Sequence, residues 1–194
     1  MAKPDQFDMD AIQLLWMLRR MRDEGCYLDG RKIKEPPKFF LGAAASPFGA
    51  LPEYEAIRAE KKINAGAQFI QTQPVFDHNR FVDWLEALDK RNLLGKVHIL
   101  AGLVPLKSAR AAQYMADDVA GVVIPEGMVK RMTGAGDKEA QQATGFQIAL
   151  EILQKLKATQ GISGVHIMAV HWESIIPRLV EEAGLLPATK PPQM

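Results

Sequence analysis

Residues 61–77, Lys-Lys-Ile-Asn-Ala-Gly-Ala-Gln-Phe-Ile-Gln-Thr-Gln-Pro-Val-Phe-Asp, confine the fold more than any other stretch of the chain. A charged helix end passes through an Ala65-Gly66 turn into a short apolar strand, expected over Gln68–Thr72. The segment then turns polar at Gln71, Thr72 and Gln73, ahead of Pro74 and Asp77. In parallel α/β proteins the interior of a strand is core and its carboxyl end faces ligand. A glutamine carboxamide both donates and accepts hydrogen bonds, so Gln73 suits a heteroaromatic ring carrying several nitrogens and carbonyls.

The same alternation runs along the rest of the chain. A first helix is expected from about Asp8 to Glu24, capped by Asp8 or Asp10 and stopped by Gly25, with Ala11, Leu14, Leu15, Leu18 and Met21 as its apolar stripe. A polar connection, Tyr27 to Pro37, leads into a buried strand over Lys38–Pro47 that shrinks to alanines at its end. Those alanines either leave volume for a ligand or make room for a packed helix. Helices are expected from Leu51-Pro52-Glu53 to about Asn64, over His78–Lys90 with Phe81, Trp84, Leu85 and Leu88 inward, and over Ser108–Met115. A strand lies between the last two, over Val97–Val104. Gly121–Pro125 reads as a strand fragment or a helix entry, and Glu126–Met132 as a short helix. A long helix over 138–158 is capped by Asp137, with Phe146, Ala149, Leu150, Leu153 and Leu156 inward. Strand Gly164–Val170 and helix Glu173–Ala183 follow, before a frayed Lys-Pro-Pro-Gln tail. Four main strands, each followed by helices, predict a parallel sheet with right-handed crossovers. The spacing suits a barrel, but a complete eight-fold barrel takes roughly 250 residues, and this chain has 194. It reads as half a barrel.

Charge and cysteine content exclude several classes. Lys plus Arg (24) nearly cancels Asp plus Glu (23), which gives no electrostatic case for nucleic acid or an anionic membrane. A small neutral or mildly anionic ligand is the simpler expectation. Cys26 is alone, so no disulfide framework or cysteine-rich metal cluster is expected. No apolar run reaches the length of a membrane span, and the N-terminal residues are too polar for a signal peptide. A reducing, cytoplasmic setting is expected.

The remaining candidates are weaker. His78, His98, His166 and His171 show no ligand spacing on one helix. His98 and His166 fall within strands and read as buried or interfacial histidines satisfied by the backbone. His171 follows the last strand, where an active-site face would lie. Gly134-Ala-Gly136 follows a helix and lacks a third glycine, so a turn capped by Asp137 explains it better than a dinucleotide fingerprint. No Gly-x-Ser-x-Gly elbow is present, and Cys26 has no neighbour that would activate it. Lys61 and Lys62 close a helix, where one lysine complements the dipole. The other is free to point toward a phosphate, with Arg58 a turn earlier on a shared face.

The chain resembles the flavin-dependent 5,10-methylenetetrahydrofolate reductases over nearly its whole length. The resemblance is carried by Phe39-Phe-Leu-Gly-Ala-Ala-Ala-Ser-Pro47, by Lys62-Ile-Asn-Ala-Gly-Ala-Gln-Phe-Ile-Gln-Thr-Gln-Pro-Val-Phe-Asp77 and by Ile99-Leu-Ala-Gly-Leu-Val-Pro105. Val123-Ile-Pro125 and Gly164-Val-His-Ile follow in the same order. It implies an α/β fold of TIM-barrel type. Residues 1–194 would form a single domain, the C-terminal half barrel of about four parallel strands with a leading helix. It implies FAD as cofactor, folate as substrate, and hydride transfer from reduced flavin to methylenetetrahydrofolate, giving methyltetrahydrofolate.

Carried over by residue, Gln73 matches the glutamine that contacts the pterin. Lys62 matches a basic position near the FAD phosphates, and Lys61 stands where the family can have arginine. Glu55 and Arg58 fall at FAD-contacting positions, and Ala45 and Ser46 flank the flavin. Some members have a tyrosine at Ser46. His171 and Trp172 stand where some members have Asn-Arg near folate, so Trp172 offers a stacking surface without the charge. The proton-donating glutamate of the first strand and the Arg-Gly-Asp-like FAD motif of the fourth have no counterpart, so no catalytic residue is assigned in this chain. A complementary N-terminal half or redox partner subunit is implied, with homo-oligomer formation expected because open sheet edges demand pairing. The alternative is a non-catalytic half barrel that associates with itself or a partner. An unrelated phosphate-binding barrel is disfavoured by the lack of a glycine-rich turn after the last strands. The electron donor stays open.

Overall fold

In the computed structural model, which describes residues 8–185, the expected alternation takes the form of one four-stranded parallel sheet and seven α-helices. The elements are α1 (Ala11–Asp23), β1 (Gly42–Ala45), α2 (Pro52–Ala65), β2 (Phe69–Pro74), α3 (His78–Asp89) and β3 (His98–Leu103). They continue with α4 (Ala109–Asp117), α5 (Glu126–Thr133), α6 (Lys138–Ala158), β4 (Gly164–Ile167) and α7 (Ile176–Glu182). The strands lie in sequence order, β1-β2-β3-β4. Among the described residues no helix is long and apolar enough to cross a membrane. The chain resolves into two compact units. One holds the residues up to Gln73 with Asn79–Leu100 and Gly161–Ser163; the other holds Pro74–His78, Ala101–Gln160 and the residues from Gly164.

In the first unit, Asp10 caps α1 through a capping box. Its carboxylate accepts from the Ile12 and Gln13 N–H groups, and the Gln13 side chain accepts from the Asp10 N–H. The predicted apolar stripe is not core. Only Leu15 is buried, and Leu14 is 42% exposed. The first strand is also shorter than expected: Phe39 and Phe40 are exposed, and only Gly42–Ala45 pairs with β2. The physical reason for both corrections is the edge. With a neighbour on one side only, β1 and the helix before it have little to pack against.

α2 begins with Pro52 at the first turn, where its missing N–H costs nothing, and ends on Gly66 at φ 125°. An added Cβ at Gly66 would stand 2.8 Å from Arg19 Cδ, and Arg19 donates to the Asn64 carbonyl at 2.8 Å. β1 and β2 run parallel, with Ala44 opposite Gln71 and Ala45 opposite Thr72. β2 reaches Pro74, two residues beyond the expected end, so Gln73 belongs to the strand. α3 places Phe81, Trp84, Leu85 and Leu88 in the core as its periodicity predicts. His98, expected to be buried or interfacial and satisfied by the backbone, is exposed at the start of β3 and meets the Ser163 hydroxyl at 3.2 Å instead.

In the second unit, Ser108 caps α4 and Asp137 caps α6 through side-chain oxygens. The inward stripe of α6, from Phe146 to Leu156, is buried as expected. Gly121–Pro125 forms neither strand nor helix, yet Val122 and Ile124 are buried. The last strand stops at Ile167, and its residues are only half-buried. The last helix opens with a short 3-10 turn, Glu173–Ile175, because Pro177 supplies no N–H to an α-helical first turn. The Lys-Pro-Pro-Gln tail lies outside the described residues.

Gly145 sits where α6 crosses the Leu106 carbonyl: an added Cβ would lie 1.7 Å from that oxygen. Backbone against backbone cannot yield as a flexible side chain would. Gly145→Ala should therefore cost about 1–3 kcal/mol or more of stability by chemical denaturation; an unchanged midpoint would show that the helix shifts freely. A second expectation concerns His78, whose ring nitrogen meets the Thr159 hydroxyl at 2.8 Å. Burial and then Lys155 hold its pKa below 6.5 against the opposing pull of Asp77. The unfolded chain binds the proton first as pH falls through 6.5, so stability falls with it. His78→Gln should flatten the stability profile between neutrality and that acid range, read from thermal midpoints in a series of buffers.

Candidate functional site

Helical periodicity puts Glu55, Arg58, Ala59 and Lys62 on one face of α2, because residues three and four apart are neighbours. That face meets the carboxyl end of β1 and the tip of β2. Together they enclose a hollow of about 180 Å³ lined by Ala44, Ala45, Ser46, Glu55, Arg58, Ala59, Lys62 and Gln73. Six of the nine residues singled out in the sequence therefore come together in one place. Lys61 does not join them. It is exposed, since one residue along a helix turns the side chain by about 100° away from Lys62.

The walls are set by size. The alanines of β1 leave the space, and Ala59 keeps the helix close. Glu55 is buried, 8% exposed, in the first turn of α2, where the helix dipole favours a carboxylate. Its side chain lies on Gly49, where an added Cβ would come within 2.1 Å of Oε1. The loop carrying Ser46 and Gly49 is held from α3: the Arg80 guanidinium donates to the Phe48 carbonyl at 2.8 Å and to the Gly49 carbonyl at 2.6 Å. Gly49 and Arg80 are site-shaping residues that the sequence did not mark. Gly49 sits in a Pro-Phe-Gly turn with no motif, and Arg80 lies about thirty residues away.

The polar groups of the hollow are of two kinds. Arg58 lies 3.5 Å from Glu55, an exposed guanidinium on a buried carboxylate. Lys62 Nζ donates to the Ala44 carbonyl at 2.6 Å, with its pKa lowered by burial first and then by Arg58, while Glu55 opposes. An ammonium depressed in this way gains from an arriving anion. Gln73 is half-buried and lines the hollow, and its carboxamide has no hydrogen-bond partner among the described residues. The site thus offers two cations, one carboxylate and one unengaged amide around small apolar walls.

The other two sequence candidates belong to the second unit. His171 is exposed and left-handed, at φ 55°, and its carbonyl accepts from Lys107 Nζ at 2.5 Å. Trp172 is half-buried and lines a different hollow, with Phe146 and Arg178. Among the described residues no group of three or more His, Cys, Asp or Glu side chains is placed to hold a metal ion.

A parallel sheet whose strand ends meet a basic helix face is the architecture of a ligand-binding α/β protein. The family described as methylenetetrahydrofolate reductase matches residues 37–184, and the chain belongs to that family. Methylenetetrahydrofolate reductase 1 of Schizosaccharomyces pombe is 27% identical over 158 residues, covering 77% of this chain and 25% of the relative. Methylenetetrahydrofolate reductase 2 of Saccharomyces cerevisiae is 26% identical over 133 residues, covering 66% of this chain and 21% of the relative. The chain thus spans about a quarter of the length of these curated relatives. Among solved structures, an uncharacterized protein from Clostridium thermocellum that binds two copies of 5-methyl-5,6,7,8-tetrahydrofolic acid superposes with a TM-score of 0.56 at 19% identity. That match covers 86% of this chain and 68% of the other, and it is a likeness of fold.

The electrostatics of the hollow give a direct expectation. Arg58→Gln removes the like charge beside Lys62 and should move the lysine's titration upward, toward the ordinary 10.5, in side-chain NMR. A downward movement would show that Arg58 does not repel it.

Proposed function

We propose that this chain forms part of a flavin-dependent reductase that converts 5,10-methylenetetrahydrofolate to 5-methyltetrahydrofolate, working with further polypeptide that completes the site. Gln73 carries the reading. Its amide lies half-buried in a hollow beside two cations, with donor and acceptor both unengaged, in a chain that belongs to the reductase family. A pterin ring presents donors and acceptors along one edge, and a carboxamide matches such an edge with paired hydrogen bonds.

The residues fit FAD in part. Lys62 and Arg58 would hold its phosphates, Ala45 and Ser46 would lie against the flavin, and Glu55 would fix Arg58. When bound, FAD supplies the hydride chemistry. The chain's own part is to orient. Arg80 pins the loop that brings Ser46 to the hollow, the alanine walls admit a flat group, and Lys62 supplies a charge relieved by an anion. A hollow of about 180 Å³ is small beside ligand pockets of about 300–1,000 Å³. That size supports a shared site in which a second polypeptide, such as the family's N-terminal portion or a redox partner subunit, contributes the rest.

A second reading, a non-catalytic piece that associates with itself or a partner, is favoured by one observation. Leu14, Phe39 and Phe40 border an apolar hollow of about 480 Å³ between α1 and the open edge of β1. Exposed apolar groups beside an open strand edge call for cover.

The visible absorption spectrum separates the readings. Purified chain titrated with FAD should show a perturbed flavin band, lost in Lys62→Met; a spectrum identical to free FAD at all concentrations favours the inert piece. In an enzyme reconstituted with the complementary portion, Gln73→Ala should weaken folate binding about tenfold, the effect of about 1–1.5 kcal/mol for a lost hydrogen-bonding group. Unchanged affinity would remove the role given to Gln73.

A further inference from the structure

We propose that the open edge of β1 takes an extended strand from another polypeptide in exchange for Lys62, and that this exchange switches on the anion hollow of the first unit. The strand displaces the Lys62 ammonium from the Ala44 carbonyl and leaves it free for an anion. This regulation rests on the reading of that hollow as a phosphate site.

The backbone of β1 sets the direction of the edge. Gly42 stands opposite Phe69 and Ala44 opposite Gln71 in the parallel pairing with β2. The Leu41 carbonyl accepts from the Gln68 N–H at 2.7 Å and the Phe69 N–H at 3.3 Å, so it faces β2. Backbone groups alternate between the two sides of a strand. Ala43 and Ala45 therefore bond toward β2, while the N–H and C=O groups of Gly42 and Ala44 face the open edge.

Beside that edge lies room for a strand. The hollow of about 480 Å³ has Gly42 and Ala44 on one wall and Leu14, Leu15 and Leu18 of α1 on the other. Leu14 remains 42% exposed there. A backbone edge facing an apolar helix is the slot that a strand fills in a helix-covered parallel sheet. Main-chain hydrogen bonds would hold the added strand, and apolar side chains at alternate positions would meet the leucines. The overhang of α1 disfavours a second copy as the occupant. Antiparallel pairing of two such edges about a two-fold axis would bring their α1 helices together on one face.

Lys62 is the link between this slot and the anion hollow, because it lines both. Its Nζ lies 2.6 Å from the Ala44 carbonyl oxygen. A ladder N–H would come to about 2.9 Å from the same oxygen, so the ammonium holds the place of a strand's donor. Charged side chains, lysine above all, are how exposed edges are kept from pairing. Once displaced, the ammonium has the polar hollow beside it, at the end of a flexible stem. Arg58 is offset there by Glu55 at 3.5 Å, so the surplus charge is that of Lys62. Burial and then Arg58 lower its pKa, and an anion opposes both effects. A strand thus frees Lys62 for an anion, and an anion that takes Lys62 frees the edge for a strand, by the same factor.

The probes are inorganic pyrophosphate for the anion and a blocked hexapeptide of alternating valine and threonine for the strand, both titrated into the full chain by calorimetry. Saturating peptide should tighten pyrophosphate binding about tenfold, the scale of one charge-assisted hydrogen bond. The same peptide with every amide N-methylated has no donors and should do nothing. In Lys62→Met the peptide should bind more tightly than to the unmodified chain, and pyrophosphate affinity should no longer respond to it. With no anion present, the peptide should also move the Lys62 side-chain NMR resonance, assigned by its loss in Lys62→Met. Pyrophosphate that never binds while this resonance moves overturns the phosphate role of Lys62 and supports the exchange at Ala44. Peptide that binds without changing pyrophosphate affinity overturns the proposal, as does equal action of the N-methylated peptide. Peptide that binds neither the unmodified chain nor Lys62→Met also overturns it. So does a chain that sediments as a dimer and refuses the peptide, because a second copy then holds the edge.

Discussion

The first-unit site depends on the packing of one helix face against the ends of two strands. Glu55 is the pivot. It is buried in the first turn of α2, so close to Gly49 that an added Cβ there would have to displace it, and it stands 3.5 Å from Arg58. Two turns along the same face, Lys62 reaches the Ala44 carbonyl at the open edge of β1. Helix and strand are thus joined by polar contacts at the mouth and by alanines below. A buried carboxylate is costly unless compensated; the helix dipole and the neighbouring guanidinium provide that compensation. The geometry leaves space between the contacts instead of closing it.

That arrangement explains why small residues matter here more than reactive ones. Ala44, Ala45 and Ala59 define an empty volume, and Gly49 lets the loop approach the helix. Arg80 holds the loop by two of its carbonyls, leaving the Ser46 end beside Gln73. None of these side chains has chemistry to perform. They set where Lys62, Arg58 and Gln73 point, and orientation is what a protein contributes when a cofactor supplies the reaction.

The second unit solves a similar problem with different means. Its hollow is framed by aromatic rings and a stacked guanidinium, and its rim is set by a strained turn after the last strand. The first-unit hollow is basic and small-walled; this one is aromatic, with Arg178 already paired to Glu182 and Glu139 beside it.

Much of the fold was legible in the sequence. Period marked α3 and α6 with their buried faces, because their apolar spacing is dictated by packing, and Pro52 with its acidic neighbours marked the start of α2. The motif around Lys62 and Gln73 marked the hollow, since both lie on elements whose direction follows from helical and strand periodicity. Tertiary structure alone decided the rest. The stripe of α1 and the apolar start of the first strand looked like core, but burial depends on what stands opposite, and at the edge of the sheet little does. The exposure of His98, the pinning of the loop by Arg80 and the grouping of Trp172 with Arg178 and Phe146 are meetings of residues far apart in sequence. Local pattern carries the direction of a side chain, whereas its neighbours are fixed only when the chain folds back on itself.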